Sequence, residues 1–424
     1  MMTTEMEMTT LPTTDEHFAD RILRLSLDVG DGMLKNGGEV SRVEDTIERI
    51  CHAYGASHVE VFAITSMITA AVRMPDGSYS SQVRRVRESG TNLDMLERLN
   101  ALSREVCSDK PPLDAFEEKI KKAKGRRSYP TPVLIAASAV STASFALFFG
   151  GDFRDTLAAG VIGTIIALID IFIGAKLNSM ARTLVCSFVA ALLASLSVII
   201  GVGSNDSIIM IGAIMILVPG VAFGTAIRDL FLGELLTGAL KILNACLTSF
   251  MIALGYMLAM SIVGGKGMVS ALPDMVLPVT LVTALTASIS FAMIFKVNKR
   301  HLPLIAVAGL LTWLIYYLVM TAEGSPFICG FVSTAFAAVF AEVFARIRRT
   351  PTIMFLIPAV IPTVPGSNLY YAMRYIMETN YREAAEAALK GAQIGIGIAC
   401  GMVSVSIVLR LILGMVKKIR NKKA

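Results

Sequence analysis

The chain has 424 residues, of which 54% are hydrophobic and only 17% charged, with a formal net charge of +6. Soluble globular chains carry about 25% charged residues, so a wholly water-soluble protein is excluded. The charges are also uneven: residues 1–130 hold 18 Lys/Arg and 21 Asp/Glu, a net of −3, whereas residues 131–424 hold 21 and 12, a net of +9.

A polar N-terminal domain therefore precedes a polytopic membrane domain. The basic surplus lies in short loops between apolar runs. That pattern marks the cytoplasmic side of a membrane and argues against nucleic acid as a partner. The six cysteines form no CxxC pair, so no metal site or disulfide framework is expected. The start, MMTTEMEMTTLPTTDE, lacks a basic region followed by an apolar core. It does not read as a secretory signal, and the N-terminal domain is expected in the cytoplasm.

In chain order, residues 1–16 read as a flexible terminus and 17–128 as a small cytoplasmic α/β domain ending in a basic linker. Phe18, Ile22, Leu25, Val29 and Met33 form one face of a helix that Gly37-Gly38 stops. Ser41 with Glu44 three residues on reads as a capping box opening a second helix. Strands are expected around Val59–Ala63, Ile68–Met74 and Val83–Val86, with a turn at Pro75-Asp76-Gly77. Helices are expected over 91–107 and 113–124. Cys51 and His52 are adjacent and point apart on a helix, and no HExxH pattern is present, so no catalytic set is read here. Lys119–Arg127 holds six basic residues in nine, an anchor for anionic lipid just before the first apolar run.

Ten apolar segments follow, at 131–149, 155–175, 181–201, 205–220, 238–262, 272–295, 302–320, 326–345, 351–365 and 391–413. Alternate connections carry the Lys and Arg residues, which places both termini in the cytoplasm and the 366–390 stretch outside. LVPG at Leu217–Gly220 and TVPG at Thr363–Gly366 are 146 positions apart, and the same offset carries Arg228 onto Arg374 and Gly255 onto Gly401. The reading is two inverted five-helix repeats, 129–265 and 271–413, with a basic tail at 414–424. Pro and Gly in the short fourth and ninth segments break helices near the membrane centre, a usual pointer to a transport site. Asp170 has two open readings, a coupling-proton carrier or the partner of Lys176. Glu342 is expected to pair with Arg346. Trp313 with Tyr316 and Tyr317 reads as an interface anchor.

NGGEVSRVEDTIERICHAYG at Asn36–Gly55, LVPGVAFGTAIRDLFLGELLTGALKIL at Leu217–Leu243 and the segment from VPGSNLYYAMRY onward resemble the threonine/serine exporter family, in its fused form, over essentially the whole chain. The resemblance implies export of small hydrophilic amino acids across the cytoplasmic membrane of a bacterium or archaeon, driven by the proton motive force. Protons, membrane lipid and a small-molecule substrate are then the partners, with no cofactor and no enzyme activity. A small dicarboxylate such as succinate is the alternative, since two-protein relatives are linked to succinate export. The sequence leaves a monomer and a homo-oligomer equally open.

Carried over by motif, Gly38, Glu39, Arg42, Glu44 and Asp45 are signature residues of the N-terminal part. Pro219, Gly220, Thr225, Arg228, Asp229, Glu234, Pro365, Gly366, Asn368 and Arg374 are expected to line the substrate pathway. Thr225 stands where the family usually has Asn, and Glu234 where Asp is commoner. These departures bear on substrate identity and not on fold.

Overall fold

The computed structural model describes residues 18–87, 90–125, 128–263 and 276–423. Contacts divide the chain into two units, one of residues 1–91 with 95–126, the other of 92–94 with 127–424. The N-terminal 1–16, the pair Arg126-Arg127 and the 264–275 connection lie outside the described residues.

In the N-terminal unit, α1 (Phe18–Lys35) and α2 (Val40–Ala53) precede strands β1 (His58–Ile64), β2 (Met67–Arg73) and β3 (Tyr79–Arg85), then α3 (Leu93–Asp109) and α4 (Leu113–Gly125). The sheet is antiparallel in the order β1-β2-β3, with Val59 opposite Val72 and Ala70 opposite Gln82. Alternation buries Val59, Ala63, Ile68, Ala70 and Val72, and α1 and α2 cover that face with Ile22, Leu25, Val29, Val43 and Ile47. Arg24 ties α1 to Glu117 of α4 at 3.4 Å.

The expected capping box does not form. Glu39 is the N-cap, one residue before the helix starts at Val40. Glu44 accepts a hydrogen bond from Ala63 N of β1 at 2.7 Å, so its carboxylate joins helix to strand.

The second unit is helical. Its long helices are α5 (Thr131–Phe148), α6 (Phe153–Phe172), α7 (Ser179–Ile199), then, after two short ones, α10 (Leu235–Val263). The short pair is α8 (Asp206–Ile214) and α9 (Gly220–Phe231). The later half runs α11 (Leu277–Ile294), α12 (Leu302–Thr321), α13 (Pro326–Arg348), the short pair α14 (Ile353–Val360) and α15 (Gly366–Met377), then α16 (Tyr381–Lys423).

Among the described residues eight helices are long and apolar enough to cross a membrane, or nine if the pair around Gly366, bent by 47°, counts as one span. The chain is thus a polytopic α-helical membrane protein, with fewer spans than the ten read from the sequence. The reason is local. Segment 205–220 yields a nine-residue helix and 351–365 an eight-residue helix with Pro358 inside and a 3₁₀ turn at Ile361–Thr363. Neither reaches the roughly 20 residues a straight span needs. The 366–390 stretch is not a loop: it is α15 and the start of α16.

Irregular backbone at membrane depth must be shielded by protein. Here α8 packs among α5, α6 and α7, and α14 among α11, α12 and α13. Every residue from Ser207 to Ile214 is buried.

The two halves share their bounds. Helices α5 and α11 begin at 131 and 277 and end at 148 and 294, and α9 and α15 begin at 220 and 366 and end at 231 and 377, all 146 apart. A Cβ on Gly163 would fall on Thr142, and one on Gly309 would fall on Ser288, which are equivalent contacts at that offset. Phe145 and Phe291, also equivalent, meet edge to face with centroids 5.9 Å apart, where α5 packs on α11. Trp313 lies in this core, 4.5 Å from Phe148 and stacked on Tyr316 at 5.3 Å. It is 3% exposed and is therefore not an interface anchor.

Candidate functional site

The two breaks have the same construction. Pro219 (φ −80, ψ 35) and Pro365 (φ −77, ψ 51) sit just before α9 and α15, and neither offers a capping side chain. Proline has no N–H to continue the preceding helix, so the chain turns and a new helix N-terminus forms inside the protein.

The breaks also touch each other. A Cβ on Gly220 would land on Val364, and a Cβ on Gly366 would land on Met215 and lie 3.8 Å from Val218 Cγ1. Val218 and Val364 are themselves equivalent at the offset of 146. Each glycine thus admits the strand of chain just before the other break. The contact between the breaks is therefore reciprocal.

Eight residues beyond each glycine stands an arginine. Arg374 on α15 is 2% exposed. Its Nη1 donates to Tyr370 Oη at 3.0 Å and to Ser207 Oγ, and its Nε donates to Glu378 Oε1 at 3.1 Å. Asp206 Oδ1 lies 4.0 Å from Nη1. Nη2 is buried and has no hydrogen-bond partner among the described residues. Tyr256 of α10 packs its ring against Tyr370 at 5.6 Å and 72°. The cluster thus joins α8, α10 and α15.

Arg228 on α9 is also buried. The next residue, Asp229, accepts from Lys241 Nζ of α10 at 2.6 Å. Thr225 donates to Ala222 O at 3.1 Å, within its own helix. Glu234 is half-buried in the turn before α10, where its N–H reaches Asp229 O at 3.0 Å. Asn368 lies in the first turn of α15, beside Gly391 of α16. The pathway residues of the sequence reading therefore gather around the paired breaks and the two helices that follow them.

Asp170 lies apart from them. It sits near the end of α6, its side chain 55% exposed, and pairs with Arg182 at 3.0 Å where the sequence suggested Lys176. Glu342 pairs with Arg346 at 3.4 Å, as expected, and also accepts from Thr352 Oγ1 at 3.1 Å.

The N-terminal signature does not converge on a site. A Cβ on Gly38 would meet Met33 O at 2.8 Å, so glycine is needed for the turn between α1 and α2. Asp45 pairs with Arg49 at 2.8 Å on the surface, and Arg42 is exposed. Cys51 is buried against Ser26 and its thiol is pushed up to about 11 by that burial, which disfavours the reactive thiolate. No group of His, Cys, Asp and Glu suited to a metal is found among the described residues.

The sequence reading missed Asp206, Ser207, Tyr256 and Tyr370. Their signal was present but ordinary. Ser204-Asn205-Asp206 reads as a polar helix start, and Asn205 does cap α8 through Ser207 N at 3.0 Å. Nothing in one sequence says that Ser207 meets a residue 167 positions later.

Comparison with known proteins finds one family over most of the chain. A threonine/serine exporter family model matches residues 24–263, and a second, described as "Threonine/Serine exporter, ThrE", matches 280–408. A "Probable threonine/serine exporter" of Mycobacterium tuberculosis is 23% identical over 412 residues, 91% of this chain and 77% of that protein. The "Probable succinate transporter subunit YjjP" of Klebsiella aerogenes is 23% identical over 250 residues, 58% of this chain and 95% of that protein. Its namesake from Escherichia coli K12 is 23% identical over 252 residues, 58% of this chain and 97% of that protein. No solved structure matches the chain.

Proposed function

The chain belongs to the threonine/serine exporter family, and we propose that it is a proton-motive-force-driven exporter of L-threonine and L-serine working by alternating access. Every match described above is a transporter; the chain is a transporter and not an enzyme.

The observation that carries the mechanism is the reciprocal contact of the two Pro-Gly breaks. In the proposed arrangement, 129–265 and 271–413 are inverted five-helix repeats, with α8–α9 and α14–α15 each counted as one broken span. The substrate sits between the breaks. The N-termini of α9 and α15 offer uncapped N–H groups to its carboxylate. One repeat rocks against the other, exposing the site first to the cytoplasm and then outside. Inward proton movement drives the outward flux. Both termini are cytoplasmic, and the N-terminal α/β unit regulates access.

A second reading, export of a small dicarboxylate, is favoured by the two succinate transporter subunits and by a buried arginine on each pathway helix. Counterflow in proteoliposomes of the purified chain separates the readings. Vesicles loaded with unlabelled threonine, serine or succinate are offered the labelled compounds. Saturable accumulation of threonine or serine supports the first reading, and accumulation of succinate alone replaces it with the second. No accumulation of any of them defeats both.

A further inference from the structure

We propose that Arg374, Asp206 and Glu378 form a binding subsite for the head group of a zwitterionic solute, and that its charge balance rejects dianions. The inference rests on the transport reading and deepens it by naming a charge-selection device.

Three observations carry it. First, Arg374 is almost fully buried yet its Nη2 has no partner among the described residues, while Nη1 and Nε are held by Ser207, Tyr370 and Glu378. An unsatisfied charged donor in a buried place is costly, and an entering carboxylate would satisfy it. Second, Asp206 is 4.0 Å from Nη1, too far for a direct hydrogen bond, and its side chain is 26% exposed. It has acceptor capacity left for an ammonium group. Third, Asp206 belongs to the first half of the membrane unit and Arg374 to the second. A ligand carrying both charges would bridge the halves, carboxylate on Nη2 and ammonium on Asp206.

The formal charge of the cluster decides the class. One guanidinium and two carboxylates sum to −1. A zwitterion leaves that sum unchanged and brings a cation to Asp206. A dicarboxylate adds two negative charges beside two already present, and like charges in a partly desolvated site repel strongly. The cluster is not an echo of the repeated backbone, because the positions equivalent to Asp206, Ser207, Tyr370 and Glu378 are Thr352, Ile353, Gly224 and Leu232. Each half supplies groups that the other lacks at the equivalent place.

The test is competition against labelled threonine in counterflow, using the full chain in proteoliposomes. Two analogues each lack one charge: 3-hydroxybutyrate has no ammonium and threoninol has no carboxylate. In the unaltered protein each competes at least about tenfold more weakly than threonine. In Asp206→Asn the disadvantage of 3-hydroxybutyrate shrinks to within about threefold, while that of threoninol stays. In Glu378→Gln the ratio of succinate to threonine inhibition rises about tenfold. Unchanged ratios in both variants, with counterflow intact in the unaltered protein, overturn the subsite and leave the transport reading standing. Absence of counterflow in the unaltered protein defeats the transport reading and the subsite with it. Should Asp206→Asn not fold, Asp206→Glu keeps the charge and lengthens the arm. It is expected to weaken threonine itself without releasing 3-hydroxybutyrate, and release of 3-hydroxybutyrate by this variant overturns the subsite.

Discussion

Arg228 and Arg374 stand at equivalent places, each eight residues past a Pro-Gly break on a twelve-residue helix, yet their neighbours differ. Around Arg374 are two tyrosines, a serine and two carboxylates. Beside Arg228 is an ion pair, Asp229 with Lys241, whose equivalents are Tyr375 and Ala387. The contrast separates two kinds of residue. Proline, glycine and small side chains repeat, because they set where the backbone breaks and how closely it packs. Polar side chains diverge, because the backbone break leaves their chemistry free to differ.

Removing the guanidinium should break the comparison most severely. Arg374→Ala leaves Glu378, Asp206 and Ser207 without their shared partner, and the expected loss is about 3 kcal/mol of stability together with all counterflow. Glu378 is a third exposed, which keeps the loss toward the lower end of the range for buried pairs. Thermal unfolding of the purified chain in detergent measures the first and proteoliposome counterflow the second. Full activity in this variant would deny Arg374 any part in transport.

The paired glycines offer a sharper test, because their obstacles differ in stiffness. A methyl on Gly220 meets Val364, which is β-branched and has little freedom at χ1. A methyl on Gly366 meets the sulfur of Met215, which can swing aside. Gly220→Ala is therefore expected to cost about 2 kcal/mol and Gly366→Ala clearly less. Val364→Ala in the Gly220→Ala background should recover most of the loss, as coupling between touching residues requires. Equal costs with no recovery would mean that the breaks do not meet as described.

Much of this frame was legible in the sequence. The offset of 146, the two Pro-Gly pairs and Gly255 over Gly401 were readable, because backbone geometry restricts the residues that serve it. In the structure a Cβ on Gly255 would collide with Ser187 of α7, and one on Gly401 would reach Phe331 O and Thr334 of α13, so the glycines admit matching helices. The cluster at Arg374 was only half legible. Arg374 stood out through its offset from Arg228, although its stretch read as an outer connection, but Asp206 and Tyr256 reach it through tertiary packing that leaves no spacing rule. The span count failed for a physical reason as well. Hydropathy registers an apolar run as a span whether it faces lipid or, like α8 and α14, is enclosed by protein on all sides.

Charges nearer the surface should matter less. Asp229→Asn removes a pair whose members are 11% and 27% exposed, and about 1 kcal/mol is expected. Asp170→Asn removes a pair whose members are 55% and 39% exposed, which should cost less than about 1 kcal/mol. Its counterflow under an imposed pH gradient is expected to persist. Loss of gradient-driven accumulation, with exchange at equal pH intact, would instead assign the coupling proton to Asp170.

The smallest expected effect comes from the entrance to α6, where the halves again differ at one equivalent residue. Asp152 caps α6, accepting from Asp155 N at 2.8 Å and from Ser204 Oγ at 2.6 Å; Asn298 at the equivalent place accepts from Arg300 N at 3.3 Å. The hydrogen bond from Ser204, followed by that from Asp155, holds the Asp152 carboxyl below its usual range. A group whose pKa is lowered by folding stabilises the protein above its unfolded value, roughly 3.9, and loses that contribution as pH falls through the lower folded value. Asp152→Asn makes the first half resemble the second. The variant should unfold at a slightly lower temperature than the unaltered chain at pH 7, and the gap should close as pH falls below about 4. A gap that stays constant down to pH 3 would show that the cap works by shape alone, and that charge at this position adds nothing the uncharged Asn298 lacks.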